Sequence, residues 1–163
     1  MVNETKSTAE CCPEFDPSNW DDKITLWDNR KFIKENVCTF FYMPINFGNV
    51  MKKFNEAVSN VGASIPDGMC LSDHTSKWNM DVYLAVDKEL PIVRNIYISG
   101  KYYSKVYEGP FKNTGKWHKD FENILKVKGY KCNKIFMWYT TCPKCAKKYG
   151  KNYTVIVGEI ITK

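Results

Sequence analysis

Two stretches decide the reading of this chain: PINFGNVMKKF at 44–54 and PFKNTGKWHKDF at 110–121. Each opens with a proline that ends a run of β-formers. Each then places a glycine, an apolar residue two positions on and a phenylalanine at the same distance from that glycine (Gly48, Val50, Phe54; Gly115, Trp117, Phe121). The second stretch carries one extra residue before its glycine. Working outward from the first, Val37–Met43 is rich in strand-forming residues. Phe47, Val50, Met51, Phe54, Val58 and Val61 recur at helical spacing until Gly62, so a helix is predicted from about Phe47 to Val61. Met69–Ser72 and Asp81–Val86 follow as short strands. Around the second stretch, Asn95–Ser99 and Tyr102–Glu108 read as strands separated by a break at Gly100. Trp117, Phe121, Ile124, Leu125 and Val127 mark a helix ending before Gly129, and Lys134–Thr140 and Tyr153–Ile161 are further strands joined by a 142–149 loop.

Each half therefore reads strand, helix, strand, strand. The period is too long for a solenoid and suits a duplicated module. Two such modules can pair into one largely antiparallel sheet with both helices on one face, an α+β fold. Residues 1–35 read as an N-terminal arm. Met1–Glu10 is a polar tail, Cys11–Asp22 is irregular, Ile24–Phe32 alternates weakly, and Phe15, Trp20 and Trp27 suit packing on the body. Residues 36–163 form the tandem-module domain.

The 163 residues allow one domain with one sizeable core. Mean hydropathy is −0.44, and no apolar run approaches the ~20 residues of a membrane span. The N-terminus lacks an apolar signal segment, so the expectation is a cytoplasmic protein without a membrane partner. The 24 Lys+Arg against 18 Asp+Glu give a net charge of +6. That excess is lysine on two surface-like stretches, with only Arg30 and Arg94 as arginines, which argues against nucleic-acid readout. No phosphate loop or dinucleotide motif is present, so no nucleotide or flavin cofactor is expected.

Aromatic residues make up 15% of the chain. A junction between two modules is a natural concave site, and tyrosine and tryptophan on its strands give apolar walls with polar tips. Tyr83, Tyr107, Trp138, Tyr139 and Tyr153 are the wall candidates, and Trp78 a cap from a loop. Glu108, beside Tyr107 and before Gly109, is the candidate acid, base or counter-ion. His118 and Glu122 stand at i, i+4 on one helix face but among lysines, and Asp73-His74 lies in a loop. Seven cysteines is an odd number, which argues against a disulfide framework in a reducing compartment. Cys142 and Cys145 have zinc-knuckle spacing, and Cys11 and Cys12 can complete a four-thiolate set if the arm docks beside the last hairpin. A pair of thiols in a tight turn is the plainer reading, with zinc the alternative and redox chemistry third.

Val106-Tyr107-Glu108-Gly109-Pro110-Phe111, followed by Gly115-Lys116-Trp117, resembles the EGPY…KW segment of the GyrI-like small-molecule-binding family, related to the effector-binding domain of multidrug-responsive regulators. The resemblance spans about Val37–Ile161. Cys11-Cys12-Pro13, Phe15-Asp16-Pro17 and Thr141-Cys142-Pro143-Lys144-Cys145 look like a stand-alone, uncharacterised subgroup, some of whose members are loosely labelled hydrolases. The resemblance implies a tandem pair of strand–helix–strand–strand modules with a ligand groove between them. Relatives bind amphipathic cations or hydrolyse cyclopropane-bearing toxins. In hydrolytic relatives an essential Glu lies near the start of the final strand, where this chain has Tyr153 and Thr154; Glu159 lies further along. No DNA-binding segment precedes the domain, so a regulator is not expected. The reading is a stand-alone module holding an aromatic or cationic organic ligand between the two halves. The first alternative is a hydrolase that opens strained electrophiles with Glu108, and the second a zinc- or thiol-dependent protein. The sequence sets no oligomeric state.

Overall fold

In strand after strand the side chains alternate between two apolar environments, and this alternation organises the molecule. The computed structural model describes residue 12, 14–141 and 143–161. Its elements are β1 (Lys23–Phe40), β2 (Met43–Pro44), α1 (Phe47–Asn60), β3 (Cys70–Ser76), β4 (Asn79–Ala85), β5 (Arg94–Glu108), α2 (Thr114–Lys128), β6 (Lys131–Tyr139), α3 (Pro143–Tyr149) and β7 (Tyr153–Ile161). On β4, Met80, Val82 and Leu84 join Val50 and Phe54 of α1 in one cluster. Tyr83 and Ala85, at the alternate positions, join Trp27, Phe32, Tyr102, Phe136 and others in a second. A third gathers Phe121 and Leu125 of α2 against Tyr103, Met137, Ile156 and Ile160.

The sheet runs β2-β1-β4-β3-β6-β7-β5, and β5 pairs back onto β1. All pairings are antiparallel. Six strands thus close into a barrel whose interior is the Trp27–Phe32–Tyr102 cluster, with α1 and α2 packed outside. The expected one-sided sheet is corrected in this respect: closure leaves no open face. The reason lies in two strands that outrun their expected lengths. The break expected at Gly100 is absent: β5 passes through that residue at φ 143°. β1 joins the two expected strands into one, bending at a register shift between Trp27 and Arg30. Lys23–Lys34 of β1 then zips against Arg94–Ser104 of β5. Within each half the strand order is the same: β1-β4-β3 and β5-β7-β6.

Both main helices match their sequence signals. α2 ends at Gly129, which takes the left-handed conformation (φ 74°), and Tyr130 N–H bonds back to Leu125 C=O at 2.9 Å. α1 ends likewise through Gly62 (φ 60°), with Ala63 N–H bonding to Val58 C=O. The expected 142–149 loop contains a short helix, α3.

Candidate active site

The barrel's two ends differ in chemistry. At one end the N-terminal arm supplies a plug. Phe15 and Trp20 meet Trp138 edge-on at 5.4 and 5.1 Å, and Phe15 also packs on Tyr153 at 5.7 Å. Ser104 Oγ donates to the Trp20 carbonyl at 2.7 Å, and Val106 N–H donates to Asp21. These bonds hold the arm on β5.

The other end is charged. Lys34 shares the parity of Phe32, Asp81 that of Tyr83, Asp73 that of Leu71, Lys134 that of Phe136 and Glu159 that of Val157. Alternation therefore turns five ionisable side chains to the inward face. Four of them form two ion pairs: Lys34 with Asp81 at 3.1 Å, and Lys134 with Asp73 at 3.3 Å. Lys134 also donates to the Tyr83 hydroxyl oxygen at 3.1 Å. Both ammonium groups stand 5.2 Å from the Tyr83 ring centre. Burial pulls the Lys134 ammonium down, but Tyr83 and Asp73 outweigh it and hold its pKa above the ordinary value.

Across β7, Glu159 lies level with Tyr102 on β5 and Lys134 on β6. Asn133 Nδ2 donates to its Oε2 at 2.9 Å. Its Oε1 faces the bare Cα of Gly100: a Cβ there would stand 3.2 Å from that oxygen and 3.3 Å from Tyr102 Cε2. Burial first, and then the Glu159 charge, push the Tyr102 phenol up to about 12. Tyr102 stays a hydroxyl donor at neutral pH.

Beside this end the barrel wall opens. β3 and β6 share two register pairs, Leu71↔Trp138 and Ser72↔Met137, and then part. A groove of about 550 Å³ lies against the gap, with Asp73, Lys134, Asn133 and Cys132 on its strand side and His118 and Glu122 on its α2 side. His118 Nδ1 is 3.7 Å from Glu122 Oε2. The groove lining brings the Asp73 carboxylate, the Lys134 ammonium and the His118–Glu122 pair together, with Tyr83 bonded to Lys134 behind it and Glu159 level with Lys134 on the next strand. Such a set is equipped for proton transfer to and from a small organic molecule.

The sequence-predicted residues are distributed over the molecule. Tyr83 floors the charged end. Trp138 lies inside the barrel beneath the plug, and Tyr153 packs on that plug. Tyr107 and Tyr139 lie outside: Tyr107 stacks on Trp117 at 5.7 Å and donates to Asp120 at 2.8 Å, and Tyr139 meets Phe111 at 5.4 Å. Glu108 is exposed where β5 ends, towards the plug, and Trp78 is half exposed on the β3–β4 turn. Cys11 and Cys142 lie outside the described residues. Cys145 is buried on α3, and Tyr149 on the same helix donates to the Cys12 carbonyl at 2.8 Å, which ties the arm to α3. Among the described residues no three His, Cys, Asp or Glu side chains are grouped to hold a metal, and no helix is long and apolar enough to cross a membrane. Sequence spacing does not single out Lys34, Asp81, Lys134 and Asn133 as a group. Their available signal was charge in phase with an inward apolar series, as in Lys134-x-Phe136-x-Trp138.

A closed antiparallel barrel flanked by two helices, with a charged slot in its wall, defines the class of this protein. Within that class the chain belongs to the bacterial hydrolase family, whose model matches residues 2–160. Two crystal structures of hydrolases from Listeria innocua are similar to it. One has a TM-score of 0.58 at 12% identity, covering 85% of this chain and 91% of the other. The second has 0.59 at 10% identity, covering 87% and 93%. At that identity the likeness concerns the fold. No curated protein matches the chain.

Proposed function

We propose that this protein is a hydrolase that adds water to a strained, electrophilic organic ring in the slot between β3 and β6. The reading agrees with the GyrI-like resemblance, and the shared strand order of the two halves supports the duplicated-module architecture which that resemblance implies. The observation that carries it is the inward Glu159, anchored at one oxygen by Asn133 and open at the other towards Gly100.

Glu159 takes a proton from water as the water oxygen bonds to a ring carbon. The strained C–C bond breaks, and its electron pair moves to the substrate's electron-withdrawing group, which takes a proton from the Tyr83 hydroxyl. The Lys134 ammonium, bonded to that oxygen, stabilises the phenolate left behind. Transfer of the Glu159 proton back to Tyr83 through solvent resets the site, so substrate plus water gives one ring-opened alcohol. Two ammonium groups beside Tyr83 suit an electron-rich or carbonyl-bearing ligand better than a cation.

The test is product mass on a panel of cyclopropane-bearing electrophiles. Wild-type protein gives a product heavier by one water and turns over repeatedly. Glu159→Gln lowers turnover by about 10²–10⁴-fold while ligand affinity changes little. Saturation at one equivalent without product returns the protein to the binding-module reading. Full activity of Glu159→Gln removes Glu159 as the base.

A further inference from the structure

We propose that the turn after β1 and the tip of the β3–β4 hairpin together form an anchor that rests on an anionic lipid surface. The inference stands independently of the hydrolase reading. It departs from the expectation of no membrane partner, which rests on the lack of an apolar run long enough to span and does not bear on a surface contact.

Phe40, Phe41, Tyr42, Met43, Ile45 and Trp78 crowd these two tips. Each is more than half exposed, from 51% for Trp78 to 72% for Met43. They are not loosely strung. Thr39 N–H donates to the Trp78 carbonyl at 2.9 Å, and Tyr42 N–H to the Lys77 carbonyl at 3.1 Å. The Thr39 hydroxyl donates to the same Lys77 carbonyl. Phe41 lies 4.9 Å from Phe40 and 5.1 Å from Trp78, ring centre to ring centre. Phe41 and Tyr42 both take left-handed backbone conformations, at φ 46° and 69°. Phe41 and Tyr42 are the two residues of the tight turn between β1 and β2, whose geometry requires positive φ at both, and that turn holds their rings out from the sheet.

Three features select the occupant. First, charge: residues 36–55 and 74–80 contain no carboxylate, while Lys77 lies within 5.4 Å of the Phe41 ring and 6.0 Å of Trp78. Second, composition: tryptophan, tyrosine and lysine beside apolar tips is the mixture that settles at a bilayer interface. Third, geometry: two tied turn tips are convex and suit a broad, soft surface. The neighbouring sheet edge does not suit strand addition by a second copy, because β2 has two residues and one is Pro44.

Co-sedimentation with vesicles tests the proposal. Wild-type protein partitions onto phosphatidylcholine vesicles containing about one-third phosphatidylglycerol, and at least about tenfold more weakly onto pure phosphatidylcholine or in about 0.5 M NaCl. Phe40→Ser/Trp78→Ser removes the partition with the melting temperature preserved, and Lys77→Glu, which leaves every ring in place, weakens it about tenfold. Absence of wild-type partition, or partition unaltered in both variants, overturns the proposal. So does a wild-type dimer by light scattering that Phe40→Ser/Trp78→Ser converts to monomer, since a second copy would then cover the patch.

Discussion

Gly158 lies on β7 where Phe121 of α2 presses on the sheet. A Cβ at this position would stand 2.9 Å from Phe121 Cε1 and 3.2 Å from Cys132 Sγ. Phe121 is fully buried and stacks on Tyr103 at 5.6 Å, so it has little room to retreat. Gly158→Ala is therefore expected to destabilise the fold by about 1–3 kcal/mol, as overpacking does. Urea unfolding measures this, and Phe121→Leu in the Gly158→Ala background should recover part of the loss. Gly100 differs: at φ 143° any side chain strains the backbone, and its Cβ would also press on the Glu159 carboxylate and the buried Tyr102 ring, so a substitution there disturbs site and core together. At this scale the site was half legible. The sequence points to Glu108 as the candidate acid or base and marks Glu159 only as a carboxylate further along the last strand. Its partner Asn133 sits across a strand pair that shifts register between Cys132 and Lys134, and no spacing in the sequence reveals that.

The element with the clearest titration signature is β5. Three of its four tyrosines divide between the barrel interior (Tyr102) and the face under α2 (Tyr103, Tyr107), and Tyr97 is exposed. Burial pushes the Tyr102 phenol up to about 12, with Glu159 adding to it. Burial also raises Tyr103 and Tyr107, and Asp22 and Asp120, which accept from their hydroxyls, raise them further. An unfolded tyrosine ionises near pH 10. The contribution of these neutral phenols is therefore fully present below about pH 10 and is lost as pH rises through the folded values. Urea unfolding across an alkaline series should show stability falling above about pH 10. Phenolate absorbance should show these tyrosines resisting ionisation until the chain unfolds. Free titration of every tyrosine near pH 10 with unchanged stability would contradict the packing of β5.

Across the whole molecule, the arm and the barrel depend on each other. Trp20 and Phe15 close one end against Trp138, and the paired charges stand at the other. Trp20→Ala opens that seal and should cost about 2–4 kcal/mol, somewhat less than a fully buried tryptophan, read as a lower urea midpoint. Trp138 emission should shift to the red as water reaches the plug. A midpoint unchanged by Trp20→Ala would mean that the arm rests on the barrel without closing it.

The sequence by itself determined the local elements. Helical periodicity with glycine stops placed α1 and α2, and β-rich runs placed the strands, because these signals are carried by residues close in the chain. It also showed that the two halves follow one order of elements. Only the tertiary structure decided that the sheet closes, because closure comes from pairing β1 with β5, residues some seventy positions apart such as Trp27 and Gly100. Closure then decided which aromatics are core and which charges face inward. Tyr83 and Trp138 share an interior, Tyr107 and Tyr139 lie outside it, and Glu159, Lys134 and Asp73 meet at one end. An alternating strand has two faces, and the sequence does not say which of them becomes the inside until the last pairing is made.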